Sequence, residues 1–340
     1  MPLDRISFTT FNLLNLQGPG RPMNRGQRPW TAEEVEAKVA WTAAMLGRAR
    51  ADVVGFQELW GREPLDEALA RSELSGSHEL LVPPGHAGDR IVCAAAVPLG
   101  QLAGPPEWID RFPEELVLRT EGDAGDQAPE MAVAIRGFSR PVLHLALRQE
   151  EGEDAIHVYV AHLKSKRPTP VHEEGWFDRR AHGPHAQAIG SALSTIRRTA
   201  EAAALRAILT ARMKGTASPT VVLGDLNDDQ MGTSVALVTE EPPLLWPSRF
   251  GGRDTALYSG QAMQQAQSQR DVYFTYIHEG LHSSLDHVLV SREFYSQSRN
   301  RVWALDGLDV WNDHLNDGNA EEGRGANDHG VVRARFSRPR

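Results

Sequence analysis

One run constrains the fold more than any other: Thr220-Val221-Val222-Leu223, followed at once by Gly224-Asp225-Leu226-Asn227-Asp228. A strand without polar alternation is stable only when both of its faces are covered, which is the situation of a central strand between layers. The polar cluster behind it then falls at a strand end, where an α/β fold assembles sites from distant parts of a chain. The same grammar recurs. Residues 5–16 read as a strand running into a turn, and Ala51-Asp52-Val53-Val54-Gly55-Phe56-Gln57-Glu58 as a buried strand with polar residues at its end. Residues 131–148, 155–163, 285–291 and 330–336 supply further strands, the second of them ending on His162.

Helices alternate with these strands. Thr31 and Glu34 form a capping box that opens a helix reaching about Arg50. Helical signals return near 64–74. A long helix is expected from His185 to Arg212, with Ile189, Leu193, Ile196, Ala200, Ala203 and Ala207 as its apolar stripe. Residues 17–29 and 164–184 read as loops, and 306–328 as an acidic, irregular stretch. With neither an internal repeat nor a linker in sight, residues 1–340 are expected to form one layered α/β domain.

Composition removes several classes. Apolar residues make up 41% and charged residues 24%, which excludes a disordered, collagen-like or coiled-coil chain. Cys93 is the sole cysteine, so an internal disulfide, a Cys₄ zinc site, an iron–sulfur cluster and a CxxC centre are all excluded. No apolar run approaches the roughly 18 residues that span a bilayer, and the N-terminus lacks the features of a signal peptide. A cytoplasmic protein without membrane contact is the expectation. The net charge of −9 means that a polyanionic substrate needs local positive charge or metal ions. The segment from His162 to Arg198 offers that charge, with seven basic residues, Lys164 and Arg167 among them, against three acidic ones.

The strand ends hold the chemistry: Asn12, Glu58, His162, Asp225 with Asn227, Asp286 with His287, and Asp328 with His329. Hard oxygen ligands without cysteines suit Mg²⁺, Mn²⁺ or Ca²⁺. Histidines beside them supply acid–base chemistry near neutral pH. Together they are the inventory for metal-assisted hydrolysis of a phosphate ester. Taken alone, Gly224-Asp225 reads equally well as a turn, Asp286-His287 reads better as a structural ion pair, and Trp176-Phe177 and Trp311 read at least as well as core aromatics as they do as rings that stack a base.

In order along the chain, Thr10-Phe11-Asn12-Leu13-Leu14-Asn15-Leu16, Phe56-Gln57-Glu58, His162-Leu163-Lys164-Ser165-Lys166, Gly224-Asp225-Leu226-Asn227-Asp228, Leu285-Asp286-His287 and Asn327-Asp328-His329 resemble the endonuclease/exonuclease/phosphatase superfamily. The likeness spans about residues 6–336 and is nearest to bacterial nuclease-like members. It implies a four-layer α/β sandwich, with two mixed β-sheets packed face to face and helices outside. It also implies that Asn12 and Glu58, with Asp328 assisting, hold Mg²⁺. By the same resemblance, Asp225 orients or deprotonates the attacking water and Asn227 positions the phosphate. His162, buttressed by Asp286, acts as general acid, and His329, oriented by Asp328, binds the scissile phosphate. A carboxylate partner for each imidazole leads to the expectation that both histidines are cationic. Asp225 and the histidine pairs both remain open as the base.

The leading expectation is a DNA nuclease in which Lys164 and Arg167 contact the substrate. The alternative is a phosphatase or phosphodiesterase on an inositol phosphate, a nucleotide or sphingomyelin. A non-catalytic binding protein would need a gap in the catalytic set, and none is found.

Overall fold

The structure, a computed structural model, describes residues 4–122, 130–242, 253–268, 274–316 and 327–339. Two six-stranded mixed sheets lie at its centre. The first contains β1 (Arg5–Leu16), β2 (Val53–Leu59), β3 (His78–Leu81), β4 (Val92–Pro98), β15 (Ala304–Trp311) and β16 (Val331–Ser337), in the order β15-β16-β1-β2-β4-β3. The second contains β5 (Glu107–Arg111), β8 (Gly137–Leu147), β9 (Ile156–His162), β10 (Thr220–Asp225), β11 (Tyr258–Ser259) and β14 (Asp286–Val290), in the order β11-β14-β10-β9-β8-β5. Two small hairpins stand apart, β6 (Arg119–Thr120) with β7 (Met131–Ala132) and β12 (Tyr276–His278) with β13 (Leu281–Ser283).

The parallel pairs are β1 with β2 and β9 with β10, each near the middle of its sheet. They bring the C-terminal ends of four strands to one edge of the sandwich. The expected central strand, β10, is buried along its whole length.

The sheets meet through the inward-facing residues of each strand. Phe8, Val53 and Ala95 of the first sheet pack with Val158, Val160, Val221, Leu223 and Val288 of the second. Each such fully buried large side chain contributes about 1.5–3 kcal/mol of transfer free energy. Gly55 permits the close approach of the two sheets, since a Cβ there would lie 2.9 Å from Val160 Cγ2 and 3.2 Å from Leu223 Cβ.

Helices complete the outer layers. On the far face of the first sheet, Met45 and Leu46 of α1 (Ala32–Ala49) and Leu65 and Leu69 of α2 (Arg62–Arg71) cover Phe11 and Phe56. A one-turn helix, α3 (Arg179–His182), interrupts the long loop. On the second sheet, Leu205, Leu209 and Met213 of α4 (Ala186–Met213) and Val235 and Val238 of α5 (Thr233–Thr239) cover Tyr159, Val222 and Leu289. The last helix, α6 (Gly260–Gln267), lies against β14 and β15. The layers are therefore helix, sheet, sheet, helix, as the resemblance implied. The Thr31–Glu34 capping box is present in full.

Three readings from sequence are corrected. The stripe expected on α4 docks only in part: Ala200 is buried, but Leu193 is 40% exposed and Ile196 45% exposed. The helix instead buries Gly190, Ser194, Arg198, Glu201 and Leu205. Polar groups decide that rotation. Ser194 Oγ donates to the Arg167 carbonyl, and Glu201 accepts the N–H groups of Ser139 and Lys164. Residues 306–311, read as irregular, belong to β15. Asp306 and Asp309 obscure the strand pattern, but their carboxylates accept hydrogen bonds from Ser337, Arg333 and Arg335 of neighbouring β16. Within the stretch 306–328, residues 317–326 lie outside the described residues. Finally, 131–148 is not one strand, because it divides into β7 and β8.

Candidate active site

Six strand-end residues from the two sheets meet in three pairs, and every pair crosses between the sheets. Asn12 at β1 donates from Nδ2 to Asp225 Oδ2 of β10 at 3.1 Å. Glu58 at β2 lies 3.8 Å from His162 Nε2 of β9. His329, just before β16, shares a 2.8 Å hydrogen bond from Nδ1 with Asp286 Oδ2 of β14. Asp225 ties the pairs together, with its Oδ2 3.5 Å from His162 Nε2 and 3.9 Å from His329 Nε2. All are buried except Glu58, whose side chain is 19% exposed.

The local backbone is shaped to present these groups. Leu14, Asn15, Glu58 and Asn227 all have positive φ, between 45° and 60°. Non-glycine residues avoid that region unless their surroundings impose it, and such strain concentrates at functional sites. Here the impositions are visible. Asn15 N–H donates to Glu58 Oε2 at 3.1 Å, while Asn15 Oδ1 accepts from Trp60 Nε1 at 2.8 Å. Asn227 N–H donates to Asp225 Oδ1 at 2.8 Å, and its amide Nδ2 donates to the Leu163 carbonyl at 3.0 Å. Asn327 Nδ2 donates to the Asn12 carbonyl, and Asn327 Oδ1 accepts the Asp328 N–H.

Electrostatics separate the two histidines. Burial pushes His162 well below its ordinary value, and Arg140, His329 and Lys164 push it in the same direction. Burial also acts to lower His329, but Asp286, Asp225 and Asp328 overcome it and raise that imidazole well above its ordinary value. Their surroundings thus drive the two imidazoles in opposite directions, where the sequence led to one expectation for both. Burial raises the Asp225 carboxyl, with Asp286 and Glu58 adding and His329 opposing. Glu58 is raised by burial and then by Asp328.

The partnerships are also corrected. Asp286 orients His329, and His162 faces Asp225 and Glu58 instead. The alternation along β14 gives the reason: Asp286 points between the sheets toward the β16 side, while His287 Nε2 bonds the Asp228 carbonyl on the opposite side.

Two groupings could hold a divalent cation. Asn12, Glu58 and Asp328 are hard oxygen donors, and Asp328 Oδ1 is buried with no partner among the described residues. Asp225, Asp286 and His329 also place ligand atoms within 4.8 Å of one another, though Asp286 already occupies His329 Nδ1. The first set fits Mg²⁺ better, because its donors are oxygens alone, whereas the second includes an imidazole already tied to Asp286.

The expected substrate contacts differ from one another. Lys164 Nζ turns back onto its own loop, 3.3 Å from Ser165 Oγ and from the Arg167 carbonyl, whereas the Arg167 side chain is exposed. Lys166 pairs with Asp228 at 3.1 Å. Trp176 is 51% exposed and therefore not a core aromatic, while Trp311 packs against the core under Arg333.

Sequence reasoning missed three residues. Arg140 donates to the Leu163 carbonyl at 3.1 Å, and its charge reaches both His162 and Glu58. Its signal was an arginine beside Pro141 in an otherwise apolar strand. Lys38 is 3% exposed, sits 4.9 Å over the Trp30 ring, and feels Asp328 and Glu58. Its signal was a lysine inside the buried stripe of α1. The Tyr276 ring tilts over His329 with centroids 5.0 Å apart.

Comparison with known proteins agrees with this fold. The sequence matches the Endonuclease/Exonuclease/phosphatase family over residues 9–311. No curated protein matches it. Among solved structures, it is similar to a mannosyl-6-phosphatase from Bacteroides thetaiotaomicron, with 12% identity, TM-score 0.55, and 97% of this chain and 99% of that one covered. It is similar to the human Nocturnin catalytic domain with bound sulfate, with 14% identity, TM-score 0.55, and 99% and 95% covered. It is also similar to D. rerio TDP2 complexed with a single-strand DNA product, with 13% identity, TM-score 0.55, and 98% and 99% covered. At these identities the likeness is one of fold.

Proposed function

The chain belongs to the endonuclease/exonuclease/phosphatase family and is a hydrolase acting on phosphate esters; from that premise we propose that it is a divalent-metal-dependent phosphodiesterase whose substrate is DNA. The observation that carries this reading is the meeting of Asp225 with His162 at 3.5 Å and His329 at 3.9 Å, the two imidazoles driven in opposite directions by their surroundings. Pairs of titratable groups driven apart in this way are how a site assigns acid and base roles at one pH.

Asn12, Glu58 and Asp328 would hold Mg²⁺, or Mn²⁺ or Ca²⁺ in its place. When bound, the cation supplies Lewis-acid stabilisation of phosphoryl oxygens. The remaining work falls to the chain. Asp225 accepts a proton from the attacking water, whose oxygen forms the new bond to phosphorus as the ester P–O bond breaks. Asn227, its amide fixed by the Leu163 carbonyl, positions the phosphate. His329, held by Asp286, places positive charge on the scissile phosphate and can give its Nε2 proton to the departing oxygen. His162, its imidazole pushed down by burial and by Arg140, offers a hydrogen bond. Arg140 and Arg167 provide cationic contacts for phosphates.

The inward turn of Lys164 and the Lys166–Asp228 pair reduce the positive charge free to meet a long polyanion. This favours, as a second reading, a phosphatase or phosphodiesterase on a small-molecule or lipid phosphate. The deciding experiment is cleavage of plasmid DNA, single-stranded DNA, RNA and bis-p-nitrophenyl phosphate in Mg²⁺ or Mn²⁺ and in EDTA, with Asp225→Ala beside each. Metal-dependent DNA cutting that disappears in the variant supports the first reading. Activity confined to the small diester supports the second. Full turnover by a folded Asp225→Ala variant refutes the role given to Asp225.

A further inference from the structure

Thr275 touches the backbone on both sides of the Asp286–His329 pair. Its Oγ1 accepts the N–H groups of Leu285 at 2.9 Å and Asp286 at 3.2 Å, and its carbonyl accepts the Gly330 N–H at 2.7 Å. Two acceptor positions on the hydroxyl are thereby filled, so its proton is left for a third partner. Beside it, between the two sheets, lies a cavity of about 10 Å³ whose polar lining is Gln261, Thr275, Asp286 and His287 and whose apolar lining includes Val288 and Val332. That is room for about one water, which requires two to four polar partners. Asp286 is one of them. Its Oδ2 is committed to His329, while its Oδ1 is buried with no hydrogen-bond partner among the described residues. A buried carboxylate oxygen left without a donor is unfavourable, and native structures rarely tolerate one.

We propose that Thr275 is a positioning residue for Asp286, acting through a single water held in this cavity. The water accepts a hydrogen bond from the Thr275 hydroxyl and donates one to Asp286 Oδ1. With both carboxylate oxygens engaged, the side chain cannot rotate away from His329 Nδ1. The kinetic consequence rests on the proposed role of His329 in phosphate ester hydrolysis, whereas the water site itself does not.

The test pairs a high-resolution crystal structure with two cavity-filling variants. Val288→Ile and Val332→Ile add a methyl group from opposite sheets and leave the backbone contacts of Thr275 intact. Density within hydrogen-bond distance of both Thr275 Oγ1 and Asp286 Oδ1 is expected in the wild type. The filled variants should lose about tenfold in kcat on bis-p-nitrophenyl phosphate, with KM and Tm held, as for outer partners that orient a functional group. Thr275→Ser, which keeps the hydroxyl, should match the wild type. A dry cavity, or a filled cavity with unchanged kcat, overturns the proposal. Absence of metal-dependent cleavage of any phosphate ester by the wild type would overturn the phosphodiesterase reading instead and leave the crystallographic result standing.

Discussion

Gly224→Ala is the sharpest single perturbation of this site, because one added methyl group strikes backbone. A Cβ at position 224 would lie 2.0 Å from the Ala161 carbonyl oxygen and 2.9 Å from its carbon. No rotamer change relieves such a contact, so β9 and β10 must separate. Overpacking of a core costs about 1–3 kcal/mol, and a backbone-to-backbone clash belongs at the upper end. An unfolding entropy of about 2.1 cal/mol/K per residue, taken over 340 residues, gives roughly 0.7 kcal/mol/K. A loss of about 3 kcal/mol therefore lowers Tm by about 4 °C. Activity should fall further, because Asp225 and His162 are register partners across those same strands. A displacement near 1 Å costs on the order of 10²-fold in rate. Scanning calorimetry and turnover on bis-p-nitrophenyl phosphate measure both effects. Gly104→Ala is the control, since a Cβ there meets nothing within 4 Å. A Gly224→Ala protein melting within about 1 °C of wild type with normal turnover would refute the reasoning.

Three further outcomes are expected. Glu201→Ala removes the buried acceptor of Ser139 N–H, Ser139 Oγ–H and Lys164 N–H and should cost about 4 kcal/mol by denaturant titration; a loss under about 1 kcal/mol would show those bonds to be dispensable. Asp286→Asn and His329→Ala should each cost about the same turnover, and the double variant hardly more, whereas additive losses would mean that the two do not act as one unit. Burial first, then Arg212 and the neighbouring imidazole, holds His144 at about 4, and burial and Arg212 hold His157 at about 4. Both lie below the unfolded value, so their contribution is present above about pH 6.5 and is lost as pH falls toward 4. His144→Phe, which keeps the ring on Tyr159, should flatten the acid limb of a Tm–pH profile; an unchanged slope would dismiss the pair as its source.

What was legible in the sequence follows from distance along the chain. Each strand end declares itself locally, as an apolar run stopped by Asn12, Glu58, His162 or Asp225. The capping box at Thr31 is likewise a four-residue signal. Pairing across the sheets is different: whether Asp286 serves His162 or His329 depends on the register of β14 against β10 and on the packing of two sheets. No short window contains that information. The docking face of α4 was misread for a related reason, because Ser194, Arg198 and Glu201 look like surface residues until the loop carbonyls and amides they meet are in place. Arg140 and Lys38 left signals, as charged residues inside apolar patterns, and could have been marked.

The three cross-sheet pairs make this site a gauge of how the two halves of the protein are seated. Asn12 with Asp225, Glu58 with His162, and His329 with Asp286 each have one foot in either sheet. A small slip between the halves would misalign all three together while leaving every strand and helix formed. Turnover should then fade in mild denaturant or under distant core substitutions before circular dichroism registers any loss of structure. In such a molecule, activity reports on the seam between the sheets more sensitively than any spectroscopic probe of the layers themselves.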